Sequence, residues 1–246
     1  MLERIFNYTN FDKIKPLFND IRFYMGNSVL DGVMGKAYVD NTINPQIAFL
    51  AVRSYCFISG NLSKEKLKDI IDENFRNYIL IPSDNLKSEI ENIYEDSIIK
   101  RQRFSVKKEV KFNETKLKDM LNKIPDKFEM IKINKNLSDR IKKEDFINIT
   151  DDYEKNGIGY CCMYNNEIIG VASSNIFYKD GIEVNIGVKE NYRRRGIATA
   201  MAANLILECL RENKKISWDA DNMNSVRLAQ KLGFEYDSTY DIYILK

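Results

Sequence analysis

The chain has 246 residues, 44% hydrophobic and 30% charged, and its 38 Lys and Arg against 36 Asp and Glu leave a net charge of +2. That length accommodates one large or two modest domains, and the charge balance is too even to direct the chain to nucleic acid or to an anionic membrane. There is no histidine, which excludes Ser-His-Asp and Cys-His catalysis and most zinc hydrolase sites; proton transfer falls to a carboxylate, a tyrosine, a cysteine, a lysine or water.

The four cysteines, Cys56, Cys161, Cys162 and Cys209, show no C-x-x-C spacing, so neither a disulfide framework nor a metal site is expected and a reducing cytoplasm fits. The amino terminus, Met1-Leu-Glu-Arg-Ile-Phe-Asn, lacks a basic-then-apolar signal, and no stretch approaches a membrane span.

In chain order, Ile14, Leu17, Phe18 and Ile21 share one face of an expected helix from Phe11 to Tyr24, with Pro16 near its start. Strands follow at Gly35 to Asp40 and Gln46 to Ser59; the second is apolar on both faces and reads as one central strand ended by Gly60-Asn61. A helix from about Ser63 to Asn77, a strand at Tyr78 to Pro82 and a helix opened by Ser83-Asp84 come next. Lys100 to Lys111 interleaves basic and aromatic residues. It reads as an edge strand with Phe104 and Val106 inward and lysines guarding the edge; a nucleic-acid segment, the other reading, predicts salt-sensitive affinity. A helix from Asn113 to Asn122 precedes Pro125-Asp126, taken as the boundary between residues 1–125, an α/β accessory domain, and residues 126–246.

The second half reads β-α-β-β-β-α-β-α-β-β: a strand at Phe128 to Ile133, a helix at Leu137 to Phe146 and a hairpin of Ile158 to Tyr164 and Ile168 to Tyr178 across Asn165-Asn166. The strand from Ile182 to Val188 then leads through a basic turn into a long helix, on which Ile197, Met201, Leu205 and Cys209 recur every four residues. A strand at Ile216 to Ala220, a helix at Asn224 to Leu232 closed by Gly233, and strands at Phe234 and Tyr240 to Leu245 complete it. The fold class expected is α/β (α+β), a mixed, mostly antiparallel sheet flanked by helices. Gly157-Ile-Gly159 has no third glycine and no helix after it, so it is not a dinucleotide turn.

The strand-to-helix turn carries Arg193, Arg194, Arg195 and Gly196. A helix start offers unpaired N–H groups and a positive dipole end to an anion, and glycine lets backbone approach closely. Arg193-x-x-Gly196-x-Ala198 resembles the Q/R-x-x-G-x-G/A signature of the GNAT N-acetyltransferase superfamily. A second stretch, Trp218-Asp-Ala-Asp-Asn222-Met-Asn-Ser225 through Gly233-Phe234, is similar to that family's N-x-x-S/A followed by an amphipathic helix and Gly-Phe. The wording W-D-A-x-N-x-x-S is similar to a bacterial subgroup with an extra amino-terminal domain.

The resemblance implies a GNAT-type core with acetyl-CoA as cosubstrate, no metal, and direct transfer to a primary amine; the absence of a strongly charged face leads to the expectation of a small-molecule acceptor, with the amino-terminal domain shaping its pocket. It implies a splayed strand, Ile186, Gly187 and Val188, beside which the pantetheine arm lies, with the Val188 N–H polarising the thioester. It assigns Arg193, Arg194, Arg195, Gly196, Ile197, Ala198 and Thr199 to the diphosphate, and Asn222 with Ser225 to the arm. Glu183 is the first candidate base and Asp219 the second. Many members place a tyrosine four residues before Gly-Phe; this chain has Ala229, which leaves Tyr192, Tyr240, Tyr243 or unassisted thiolate departure. A coenzyme-binding module without catalysis is the alternative. Neither nucleic acid nor membrane is an expected partner, and a homodimer is left open.

Overall fold

The structure, a computed structural model, describes residues 2–6, 8–19, 24–107, 109–150 and 153–246. Its elements run β1 (Glu3–Ile5), α1 (Tyr8–Ile14), α2 (Tyr24–Leu30), β2 (Lys36–Val39), β3 (Ile47–Val52), β4 (Tyr55–Gly60), α3 (Lys64–Asn74), β5 (Ile79–Pro82), α4 (Asp84–Tyr94) and β6 (Ile98–Val106). The chain continues through α5 (Glu114–Leu121), β7 (Glu129–Lys132), α6 (Lys135–Glu144), α7 (Tyr153–Asn156), β8 (Gly159–Tyr164), β9 (Glu167–Tyr178) and β10 (Gly181–Val188). It ends with α8 (Ile197–Arg211), β11 (Lys215–Ser217), β12 (Asp219–Ala220), α9 (Met223–Leu232) and β13 (Tyr236–Leu245). Two compact units result: Met1–Arg103 with Thr239–Lys246, and Phe104–Ser238. The expected division near Pro125 falls inside the second unit, because α5 packs on α8.

In the first unit the strands β1 to β4 pair antiparallel with their sequence neighbours, and β4 pairs with β5 in parallel. The expected single strand from Gln46 to Ser59 is instead a hairpin, turning at Arg53 with φ 53°. An apolar run without glycine or asparagine at the turn conceals such a reversal. Likewise the helix expected from Phe11 is interrupted: α1 stops at Ile14 and the chain tightens into a 3-10 turn, Lys15–Phe18, with proline in its first positions. Proline brings no N–H and clashes with the preceding turn, so the α-helix cannot continue through it; the expected contribution of Ile21 lies outside the described residues.

The core of this unit gathers Phe49, Ile58, Leu67, Ile71, Leu80 and Tyr243, with Phe49 and Phe75 stacked at 4.9 Å between ring centroids. In the second unit a five-stranded sheet runs β11-β10-β9-β8-β7. The β8–β9 hairpin turns on Asn165 and Asn166, both left-handed (φ 47° and 62°), as asparagine tolerates better than most residues. Helix α8 packs on β8, β9 and β10, and α5 and α9 pack on α8. Its alanines Ala200, Ala202 and Ala203 are buried, and short side chains let the helix lie close to its neighbours. Across the sheet, Ile133, Ile141, Tyr153, Met163 and Val171 form a second core under α6 and α7.

Replacing the fully buried Phe49 by alanine removes a stacked ring and leaves a cavity, so Phe49→Ala should destabilise the chain by about 3–5 kcal/mol. Urea unfolding followed by circular dichroism measures this; an unshifted midpoint contradicts the packing described.

Candidate active site

Strand β10 is paired along its whole length on one side only. On that side β9 runs antiparallel from Gly181 opposite Tyr178 to Val188 opposite Gly170. On the other, β11 pairs in parallel with Gly181, Ile182 and Glu183 alone. From Val184 to Val188 no strand among the described residues takes that edge. The expected strand from Ile216 to Ala220 explains why. It breaks at Trp218, and β12 pairs with Phe104 and Ser105 of β6, in the other sheet.

The direction of the free backbone groups follows from one hydrogen bond. Lys189 N–H donates to the Ile169 carbonyl at 2.9 Å; since successive residues of a strand alternate, the Val188 and Ile186 amides turn away from β9 toward the open edge. Arg193 Nε donates to the Val188 carbonyl at 3.1 Å, on that same side.

After a 3-10 turn at Glu190–Tyr192, Arg193 is extended, Arg194 is left-handed at φ 60° and Gly196 at φ 82°. Gly196 caps α8 with no side-chain hydrogen bond, and the first N–H groups of a helix have no acceptor within it. A Cβ built on Gly196 meets no heavy atom within 4 Å. The result is a pocket of about 150 Å³ lined by Val188, Tyr192, Arg193, Arg194, Gly196, Ile197, Ala198 and Thr199. An open cradle of helix-start amides, flanked by exposed arginines, fits a diphosphate. Arg195 is exposed at the rim, donates to the Asn191 carbonyl at 3.2 Å and lies over the Tyr192 ring. Lys231 of α9 comes within 3.5 Å of Thr199 Oγ1; nothing in the sequence pointed to it, since only the packing of α9 on α8 brings it there.

The remaining sequence candidates take local partners. Glu183 is buried, accepting the Asp219 N–H at 2.6 Å and the Ser217 hydroxyl; Asp219 itself is half-buried. Asn222 caps α9, its Oδ1 accepting from Asn224 N and Ser225 N at 3.0 and 3.1 Å. Ser225 Oγ accepts from Trp218 Nε1 at 3.0 Å. Gly187 faces Phe146 and Ile147, whose side-chain atoms would lie 3.4 and 3.5 Å from a Cβ there. Ala229 is fully buried in α9. Tyr240 and Tyr243 belong to the first unit, where Tyr243 donates to Glu91 at 2.6 Å.

Tyr192 donates to Glu167 Oε2 at 3.1 Å, and Lys189 bridges Glu167 and Glu144 at 3.0 and 3.4 Å. Desolvation, then the hydrogen bond to Glu167, hold the Tyr192 hydroxyl above its ordinary pKa, so it stays protonated at neutral pH. Burial pushes the thiols of Cys161, Cys162 and Cys209 up to about 11, 12 and 12, and that of Cys56 well up. None supplies a thiolate nucleophile near pH 7, which disfavours an acyl-cysteine route.

The sequence model of the family described as GNAT acetyltransferase matches residues 15–243. The chain belongs to the GNAT acetyltransferase family. A GCN5-related N-acetyltransferase-like protein from Streptococcus suis 89/1591 is 30% identical with a TM-score of 0.88, over 97% of this chain and 99% of that one. A GNAT-family acetyltransferase from Colwellia psychrerythraea shares the fold alone, at 10% identity and a TM-score of 0.55 over all of both chains. Similarity to the uncharacterized N-acetyltransferase YdfB of Bacillus subtilis (strain 168) is 30% over 102 residues, 41% of this chain and 39% of that protein. The matched GNAT region extends over both compact units. Among the described residues no helix is long and apolar enough to cross a membrane.

Two outcomes are expected of this site. Gly196→Val forces a branched residue into the left-handed region, which should cost about 1–2 kcal/mol of stability, read as a lowered midpoint in urea unfolding. Lys189, through its hydrogen bond, holds Glu167 below the ordinary carboxylate range, so the stabilisation is present above that range and lost as pH falls through the depressed value. Glu167→Gln should therefore melt below the parent at neutral pH and converge with it in acid; parallel melting curves across pH contradict the pairing.

Proposed function

We propose that the chain transfers an acetyl group from acetyl-CoA to a primary amine of a small-molecule acceptor, by direct attack in a ternary complex. The observation that carries this reading is the continuity of one track: the unpaired edge of β10, with the Val188 amide turned onto it, leads to the arginine-flanked start of α8. Residues 193–199 hold the diphosphate, with Lys231 a further cation at the rim. The amides of β10 bind the pantetheine arm as a neighbouring strand would, and Asn222 and Ser225 line its far side. Val188 N–H donates to the thioester oxygen as negative charge develops there, a preorganised stabilisation that needs no metal. Asp219, half-exposed at the strand junction, takes the amine proton directly or through water. A leaving thiolate, far less basic than an alkoxide, departs with little assistance and takes its proton from water, which accommodates Ala229 in place of a tyrosine. The near-neutral charge of the chain supports a small acceptor over a polyanionic one, and the amino-terminal part is proposed as an accessory domain.

A second reading, a coenzyme-binding module without turnover, is favoured by the buried Ala229 and by the engagement of both Glu183 oxygens. Calorimetry with acetyl-CoA, followed by thiol release in the presence of a panel of amines, separates the two. Saturable binding with a KM in the range of about 1 μM–1 mM and thiol release with at least one amine is the expected result. Binding without release across the panel favours the module, and no binding overturns both.

A further inference from the structure

Three irregularities of the sheet coincide at Glu183. It is the last residue of β10 paired with β11; the register with β9 shifts between Glu183 and Val184; and opposite it the chain turns at Trp218 toward β12 in the other sheet. Its side chain is buried, at 5% exposure. Oε1 accepts the Asp219 N–H and Oε2 the Ser217 hydroxyl, while that hydroxyl also lies 3.2 Å from the Ile182 carbonyl.

A regular parallel ladder satisfies its amides with the backbone of the adjoining strand. Here, where the strands diverge, a carboxylate takes the Asp219 amide instead. Hydrogen bonds from neutral donors to a charged acceptor are the stronger kind, and an amide stranded in the interior without one is costly. The carboxylate thus ends the ladder at a defined residue, with the bulge beside it bending β10 away. We propose that Glu183 is a positioning residue: it sets where β10 and β11 part, and so how the Val188 N–H is aimed. It is not the base of the reaction. The inference rests on the acetyl-transfer reading only for what the edge holds; the clamp is a property of the fold.

Glu183→Ala, Glu183→Gln and Ser217→Ala in the full chain test this, by hydrogen exchange over residues 181–188 and 215–220 and by kinetics with acetyl-CoA across pH. Glu183→Ala should speed exchange in both segments and raise KM for acetyl-CoA by at least about tenfold, since both bonds to its carboxyl group are lost. Ser217→Ala should move both quantities the same way by less, and it keeps the test decisive if Glu183→Ala does not fold. Glu183→Gln should retain the acid limb of the kcat–pH profile. Unchanged exchange in Glu183→Ala or, should it not fold, in Ser217→Ala overturns the proposal. So does a Glu183→Gln variant that loses the acid limb while KM for acetyl-CoA stays constant. If exchange responds but the parent chain binds no acetyl-CoA, the clamp stands and the acetyl-transfer reading fails.

Discussion

The divergence of β10 and β11 after three parallel pairs is the constraint on which the rest of the site depends. Had the two strands stayed together through Val188, every amide of β10 would be spent within the sheet. Their parting leaves a segment from Val184 to Val188 that is half-buried rather than sealed, so its outward backbone groups can be met by water or by another amide-bearing chain. Natural sheets blunt free edges with charge, proline or a covering element. This edge carries Val184, Asn185, Ile186, Gly187 and Val188, with neither a charged side chain nor a proline among them.

The anchoring of α8 supplies the other half of the geometry. Its buried positions go round much of the helix, from Ile197, Met201, Leu205 and Cys209 to Thr199, Ala203 and Ile206, because strands lie on one side and α5 and α9 on others. Even the buried Glu208 is partnered, accepting from Lys132 and from Tyr160 at 3.0 Å. A helix held this firmly fixes its first turn, and with it the amides that an anion there would meet.

Much of this was legible in advance because it is local. Alternation from Ile182 to Val188, the four-residue recurrence in α8 and the arginine-glycine turn depend on neighbours within one or two turns of chain. The apolar run of β3 and β4 has the pattern of one strand, because a buried strand and a buried hairpin look alike where no turn residue intervenes. Proline 16 divided a helix that the apolar spacing alone extended. Asn222, which the family resemblance assigns to the pantetheine arm, is the N-cap of α9 in the fold.

By itself, then, the amino-acid order determined the fold class, the arginine-glycine turn into the long helix and the exclusion of histidine chemistry, since these follow from periodicity, glycine conformation and residue type. The tertiary structure alone decided that Trp218 sends the chain to another sheet, that Glu183 closes the ladder against Ser217 and Asp219, and that Lys231 reaches Thr199. Those contacts join residues from 32 to more than a hundred positions apart. No local pattern encodes such distances, because the packing of whole strands and helices sets them.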